Sequence, residues 1–343
     1  MTTLEESENR PSESPGSLSP AEAEELGTLF GTVVGSVRTV LYANERTVQL
    51  AVGCLLAEGH LLIEDLPGLG KTTLAKALAH SLGLGFRRVQ FTADLLPADV
   101  TGAMALNRSS GEPTFRPGPI FTNVLMADEL NRASARAQSA LLEAMEERHV
   151  SADGETMALP RPFMVLATQN PFDAAGTSPL PHGQRDRFLI RLSLGYPSRA
   201  EEDRLLARTG AGSPFELSAA VTGSQVGSLM AGVAAVHVSA AARGYILDLV
   251  AVSRAHPAVS VGASPRAALS LVRAASALAL ASGRHFAVPS DIQQVLGPVL
   301  GHRLLLNSGS EASGTGIDEV IGDLIHQVRL PERRTGAGPR SGD

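Results

Sequence analysis

The chain has one cysteine, two lysines, no long basic block and no long apolar run. A lone cysteine excludes an intrachain disulfide and suits a reducing compartment. That residue, Cys54, lies inside the apolar run Leu50-Ala-Val-Gly-Cys-Leu-Leu56. It reads as a buried structural thiol rather than a nucleophile. Without about 18 consecutive apolar residues there is no candidate membrane span. The acidic, polar start Met1-Thr-Thr-Leu-Glu-Glu-Ser-Glu8 is not a signal peptide, and the expected location is the cytoplasm. Net charge is −6, so no dedicated nucleic-acid surface is expected. No internal repeat is visible. What is there is 343 residues, 43% of them hydrophobic, which suits two domains or one large domain and a small one.

The scarcity of lysine sharpens the most informative stretch. Of 29 Lys and Arg residues only Lys71 and Lys76 are lysines, and Lys71 sits in Glu64-Asp-Leu-Pro-Gly-Leu-Gly-Lys-Thr-Thr73. Apolar Leu61-Leu-Ile63 precedes this run and helix-like Leu74-Ala-Lys-Ala-Leu-Ala-His80 follows it. Strand, Gly-rich loop and helix in that order make a phosphate-binding context. Gly68 and Gly70 let backbone N–H groups approach phosphate oxygens, and the helix N-terminus adds partial positive charge. Pro67, Leu69 and Thr73 complete the nucleotide loop. Lys71 would reach the β- and γ-phosphates of ATP, and Thr72 would hold Mg²⁺. The pattern G-x-x-x-x-G-K-[ST] wants glycine at position 65, where this chain has Asp65. Aspartate tolerates turn and left-handed backbone better than most residues, so the loop can still form.

Along the chain, residues 1–21 are rich in Ser, Pro and Glu and read as a disordered tail. Residues 22–60 read as helical, with Gly59 as a stop before the first strand. Further strands are expected at Phe86–Thr92, Phe121–Ala127, Phe163–Thr168 and Phe188–Leu192. A short helix at Asp94–Val100, a hairpin near 100–116, a helix at Ala133–Arg148 and a second hairpin at 149–161 fall between them. Alternating strands and helices imply an α/β fold with a parallel sheet covered on both faces. Beyond Pro197 strand signals largely disappear. Helices are expected at Arg199–Arg208, Val226–Val236, Ala240–Ala255, Pro265–Ala281, Ser290–Leu300 and Ile317–Gln327. The expected organisation is therefore a core at 22–197, an all-helical lid at 198–330 and a disordered tail at 331–343.

The third strand ends in Asp128-Glu129, beginning 57 residues after Lys71. Asp128 suits Mg²⁺ binding and Glu129 the activation of the attacking water. Apolar Val124 to Ala127 put both carboxylates at the carboxyl end of a buried strand, where open α/β sheets bind ligands. Asn170, after the fourth strand, could sense the γ-phosphate; a plain Asn-Pro turn is the bland alternative. In Gln184-Arg-Asp-Arg-Phe188, Arg187 is the first choice for an arginine finger acting on a neighbouring subunit, with Arg185 and Arg132 as alternatives. Arg266 opens a helix at Ser264-Pro-Arg266, where it could report nucleotide state from a lid over the phosphates.

These motifs together resemble the MoxR family of AAA+ ATPases. The resemblance rests on the phosphate loop, Phe91-Thr-x-Asp-Leu-Leu-Pro-x-Asp-Val-Thr-Gly102, Pro117-Gly-Pro-Ile-Phe121, Ala127-Asp-Glu-x-Asn-Arg132, Gln138-x-Ala-Leu-Leu-Glu-Ala-Met-Glu146, Ala167-Thr-Gln-Asn-Pro171, Asp186-Arg-Phe188 and Gly262-Ala-Ser-Pro-Arg266. It spans roughly residues 35–330 and includes the Asp65 form of the loop. It implies a core with a helical lid and assembly into homo-oligomeric rings, usually hexamers. It also implies ATP hydrolysis with Mg²⁺ and chaperone-like work on a client protein, among them proteins with a von Willebrand factor A domain. Lys71 and Thr72 then belong to Walker A, Asp128 and Glu129 to Walker B, Asn170 to sensor 1, Arg187 to the finger and Arg266 to sensor 2. Two departures stand out. Tyr42-Ala-Asn44 replaces the family's Val-Gly-Gln, which leaves the adenine contact open. Leu180-Pro-His-Gly-Gln-Arg-Asp-Arg-Phe188 replaces Leu-Pro-Glu-Ala-Gln-Leu-Asp-Arg-Phe, which adds a cation beside the finger. A magnesium-chelatase-like motor subunit and an ATP-binding switch with little turnover are the alternatives. A metabolite kinase is disfavoured by Glu129 and by the Ser-Pro-Arg lid.

Overall fold

The computed structural model describes residues 18–106, 112–152, 155–170, 180–207 and 217–331. The expected terminal tails, the tips of both hairpins and the segment after Asn170 fall wholly or mostly outside them. Helix α1 (Pro20–Arg38) starts at a capping box: the Glu22 N–H donates to Ser19 Oγ at 3.3 Å, and the Ser19 N–H to Glu22 Oε2 at 2.9 Å. It ends before α2 (Glu45–Leu56), so the helical stretch expected over 22–60 is two helices. Asn44 makes the break, because its side-chain oxygen accepts from the Arg46 N–H at 2.9 Å and caps a new helix.

Strand β1 (Leu61–Glu64), α3 (Lys71–Ser81), β2 (Phe86–Gln90), α4 (Pro97–Thr101) and the hairpin β3 (Gly102–Leu106)–β4 (Pro113–Pro117) follow. Then come β5 (Val124–Asp128), α5 (Ala135–Glu147), the hairpin β6 (His149–Ala152)–β7 (Glu155–Ala158), β8 (Met164–Gln169), α6 (His182–Arg185) and β9 (Ile190–Leu192). Phe121–Asn123, expected in the third strand, precede β5 as irregular chain. Five strands pair in parallel in the order β2-β5-β8-β1-β9. The central strands β5 and β8 are buried almost throughout, as strands covered on both faces must be.

One face of the sheet, with Leu62, Leu125 and Val165, packs on α5 through Ala137, Leu141 and Met145. The other face, with Leu61, Ile63 and Met126, shares one apolar core with α1, α2, α3 and most of the helices beyond residue 197. The helices there are α7 (Arg199–Ala207), α8 (Gly223–Ala235), α9 (Ala240–Ala255), α10 (Pro265–Ala281), α11 (Pro289–Leu300), α12 (Ser308–Ala312) and α13 (Ile317–Gln327), of which α7 and α12 are the exceptions because they bury no residue. Helix α10 is their centre and also packs on α1 and α2. A Cβ at Gly27 of α1 would lie 2.7 Å from Gly283 Cα, a backbone approach that only glycine permits. Cys54 is fully buried and donates to the His60 carbonyl at 3.4 Å; burial pushes its thiol up to about 12.

The expected all-helical lid carries a small antiparallel pair, β10 (Val259–Val261) and β11 (Leu305–Leu306). Strands of three and two residues are too short to leave an alternating pattern in the sequence. The Ser260 hydroxyl reinforces the pair by donating to the Leu305 and Leu306 carbonyls at 3.1 and 3.0 Å. Among the described residues no helix is long and apolar enough to cross a membrane.

Candidate active site

At the carboxyl edge of the sheet, the loop between β1 and α3 opens a cleft of about 430 Å³. Gly68 and Gly70 take left-handed backbone with φ of 86° and 88°, which side-chain-bearing residues adopt only under strain. Gly70 caps α3 without a side-chain bond, so the first-turn N–H groups of α3 are left for an anion. Pro67, Gly68, Gly70, Lys71, Thr72 and Thr73 line the cleft; Leu69 does not. The Lys71 ammonium donates to the Asp65 carbonyl at 2.6 Å. Burial lowers its pKa, and the charges of Asp65, Asp128 and Glu129 oppose that shift.

Asp65 earns its place through its side chain. The carboxylate is buried and accepts from the Leu194 N–H, from Ser193 Oγ at 3.1 Å and from the Gly195 N–H at 3.3 Å. It ties the start of the phosphate loop to the chain leaving β9.

Asp128 and Glu129 face the loop from the end of β5, and Asn170 joins them from the end of β8. Thr168 Oγ1 organises the acid pair: it donates to Asp128 Oδ1 at 2.6 Å and accepts from the Glu129 N–H at 2.9 Å. Glu129 has a φ of 55°, unusual for a residue with a side chain and typical of functional positions. Two cleft residues escaped the sequence reading. Arg88 donates to Asp128 Oδ2 through Nε at 3.1 Å and Nη2 at 2.5 Å. Gln90 Nε2 donates to Glu129 Oε2 at 2.8 Å. The available signal was polar residues two apart on β2, hence on one face, alternating with core-facing Val89 and Phe91. Arg132 binds Glu129 Oε2 of its own chain at 3.1 Å.

Thr72 and Asp128 supply hard oxygen donors beside the anion-binding loop, the donor type that Mg²⁺ prefers. The residues present therefore fit a magnesium nucleotide.

Arg187 and Arg266 lie elsewhere. Arg187 precedes β9, which runs parallel to β1 with Ile190 beside Leu61, so it sits at the amino edge of the sheet. The cleft lies at the carboxyl edge, on the order of 10 Å or more away at roughly 3.3 Å per strand residue. Arg266, expected over the phosphates, is also at the amino edge. Both guanidiniums bind one carboxylate: Arg187 Nη2 is 3.2 Å from Glu146 Oε2, and Arg266 Nη2 donates to Glu146 Oε1. A pocket of about 220 Å³ there also holds Arg148 and Arg273. Glu146 closes the motif Gln138-x-Ala-Leu-Leu-Glu-Ala-Met-Glu146, but nothing local in sequence assigns it two arginine partners.

Known proteins resemble the chain in sequence and in fold. The model of the ATPase family associated with various cellular activities (AAA) matches residues 60–190, and that of the AAA lid domain matches residues 251–324. The uncharacterized protein YeaC of Bacillus subtilis is 42% identical over 316 residues, covering 92% of this chain and 99% of YeaC. Chaperone MoxR1 of Mycobacterium tuberculosis is 38% identical over 329 residues, covering 93% of this chain and 87% of MoxR1. The crystal structure of a candidate ATPase of Cytophaga hutchinsonii superposes with a TM-score of 0.85 at 33% identity, covering 91% of this chain and 98% of that one.

Proposed function

The chain belongs to the MoxR family of AAA+ ATPases, and from that premise we propose that it hydrolyses ATP at the interfaces of a ring of identical subunits. The ring, a hexamer in this reading, uses each cycle to remodel or activate a client protein in the cytoplasm. Residues 22–197 carry the motor and 198–330 the lid. One observation carries the interfacial reading: the loop, acids and Asn170 occupy one edge of the sheet, whereas Arg187 and Arg266 occupy the other. Two cations aimed away from their own cleft are useful to the cleft of a neighbour.

In this mechanism the loop amides and Lys71 bind the β- and γ-phosphates and fix the nucleotide for in-line attack. Mg²⁺, held through Thr72 and Asp128, would neutralise phosphate charge. Glu129 takes a proton from the attacking water, and Asn170 positions that water against the γ-phosphate. Arg187, with Arg266 beside it, leaves Glu146 and places positive charge on the neighbour's γ-phosphate as charge builds there. Glu146 meanwhile keeps both cations paired when no neighbour is present. The client remains a protein class, among which partners with a von Willebrand factor A domain are the first to screen.

The test is phosphate release from Mg·ATP by the purified chain. Lys71→Ala should lose nucleotide binding, and Arg187→Ala should lose turnover while still binding. Mixing those two variants should restore part of the activity, because one supplies the cleft and the other the finger. No restoration in mixed rings would sink the interfacial reading.

A further inference from the structure

Arg303, in the turn three residues past the end of the lid's α11, heads the fully buried side chains by size among the described residues. Its Nε donates to Asp186 Oδ1 at 2.7 Å, and its Nη2 donates to the carbonyls of Asp186 at 3.1 Å and Phe188 at 2.6 Å. Nη1 donates to the Leu189 carbonyl at 3.2 Å and to the Val299 carbonyl at 2.5 Å. Nη2 also reaches Ser270 Oγ at 3.1 Å. The carbonyls of residues 186, 188 and 189 bracket Arg187. Two further lid residues grip the same segment: the His302 ring nitrogen Nε2 meets the Phe188 carbonyl at 3.0 Å, and Ser264 Oγ donates to the Asp186 carboxylate at 3.1 Å.

Burying a guanidinium is costly, and an apolar side chain of like volume would pack the lid without that cost. What an apolar residue cannot supply is five N–H donors in one plane. Here three of its bonds go to the backbone on both sides of Arg187, and a fourth goes to the Asp186 carboxylate. Arg266, two residues beyond Ser264, belongs to the same joined unit.

We propose that Arg303 is the positioning residue of the finger: it fixes the Asp186–Leu189 backbone to the lid so that Arg187 and Arg266 are presented together to the neighbouring subunit's ATP. The proposal rests on the interfacial reading above. It makes the lid part of the finger's mounting, so that lid and finger move as one body.

The experiment uses full-length Arg303→Lys, which keeps the charge but offers donors from one nitrogen. Rings of this variant should hydrolyse ATP about tenfold or more slowly, since small misplacements of a catalytic group cost that much. Nucleotide affinity of its own cleft should stay within about twofold, as expected for a distant site. Mixing Arg303→Lys with Lys71→Ala subunits should restore turnover, because the neighbour lends an intact finger. A purely structural defect would not be repaired in trans. The Arg187→Ala and Lys71→Ala mixture runs alongside. Restoration there without restoration of Arg303→Lys overturns the inference alone; restoration in neither overturns the interfacial reading and the inference with it. If Arg303→Lys does not fold, Asp186→Asn, which keeps an acceptor for Nε, is tested in the same mixtures. Wild-type turnover in either folded variant, or failure of both to fold, also overturns the proposal.

Discussion

Gln90 and Glu129 are joined across the β2–β5 pair by a 2.8 Å hydrogen bond between residues 39 positions apart. Arg132 donates to the same oxygen, Oε2, at 3.1 Å. Both donors thus hold the carboxylate by one side, leaving Oε1 to take a proton from water. Glu129→Gln should bind ATP normally and hydrolyse it at least about tenfold more slowly, a modest figure for losing a general base. Fluorescent-nucleotide titration and phosphate release measure the two quantities separately. Near-normal turnover would remove Glu129 from the chemistry.

Asp65→Gly restores the glycine that the common phosphate-loop pattern prefers, yet it should destabilise the protein. It removes the acceptor for Leu194, Ser193 and Gly195 and leaves a buried N–H unpaired. The expected loss is about 2 kcal/mol, in the range for hydrogen bonds to a charged group. Urea denaturation without nucleotide measures it. A variant as stable as the parent would show that the clasp contributes nothing.

Acid should weaken the fold through His60. Its Nδ1 accepts from the Val165 N–H at 3.0 Å and its Nε2 faces the Met145 carbonyl at 3.0 Å, which requires the neutral ring. Burial drives its pKa from 6.5 down to about 3. The unfolded chain therefore takes up this proton first. The contribution is fully present above pH 6.5 and is lost as pH falls from there towards 3. Between pH 7 and pH 5 the loss from this group should be about 2 kcal/mol. Burial depresses His302 as well, and it adds loss of the same sign. Denaturation at several pH values tests this, with His60→Gln expected to flatten the profile; an unchanged profile would contradict the assignment.

Two glycines of α1 should respond oppositely to alanine. A Cβ at Gly31 meets nothing within 4 Å, so Gly31→Ala should stabilise by roughly 0.5–1 kcal/mol through helix propensity. A Cβ at Gly27 would run into the backbone of Gly283, so Gly27→Ala should destabilise by about 1–3 kcal/mol. Thermal or chemical denaturation of the pair separates packing from propensity. Equal effects would mean that α1 does not dock on the lid as described.

Much of the site was legible because its signals are local. The strand–loop–helix order around Lys71 and the acids ending an apolar strand each fit within about ten residues. The helices at Ala240–Ala255, Pro265–Ala281 and Ile317–Gln327 were legible to the residue, since their apolar faces repeat at the helical period. The break at Thr39–Asn44 was missed because the helical pattern resumes within a turn. The pair β10–β11 was missed because it is too short to show a period.

By itself, the sequence determined the chemistry: a phosphate loop, two acids, an amide and several arginines, each in a recognisable local setting. The tertiary structure decided which of these share a site. Strand order brought Arg88 and Gln90 onto Asp128 and Glu129, and parallel pairing sent Arg187 and Arg266 to the opposite edge. It also gave Asp65 a partner beyond β9 and buried Arg303 against Asp186, 117 residues away. Side-chain periodicity records which face of an element is buried; it does not record which other element buries it.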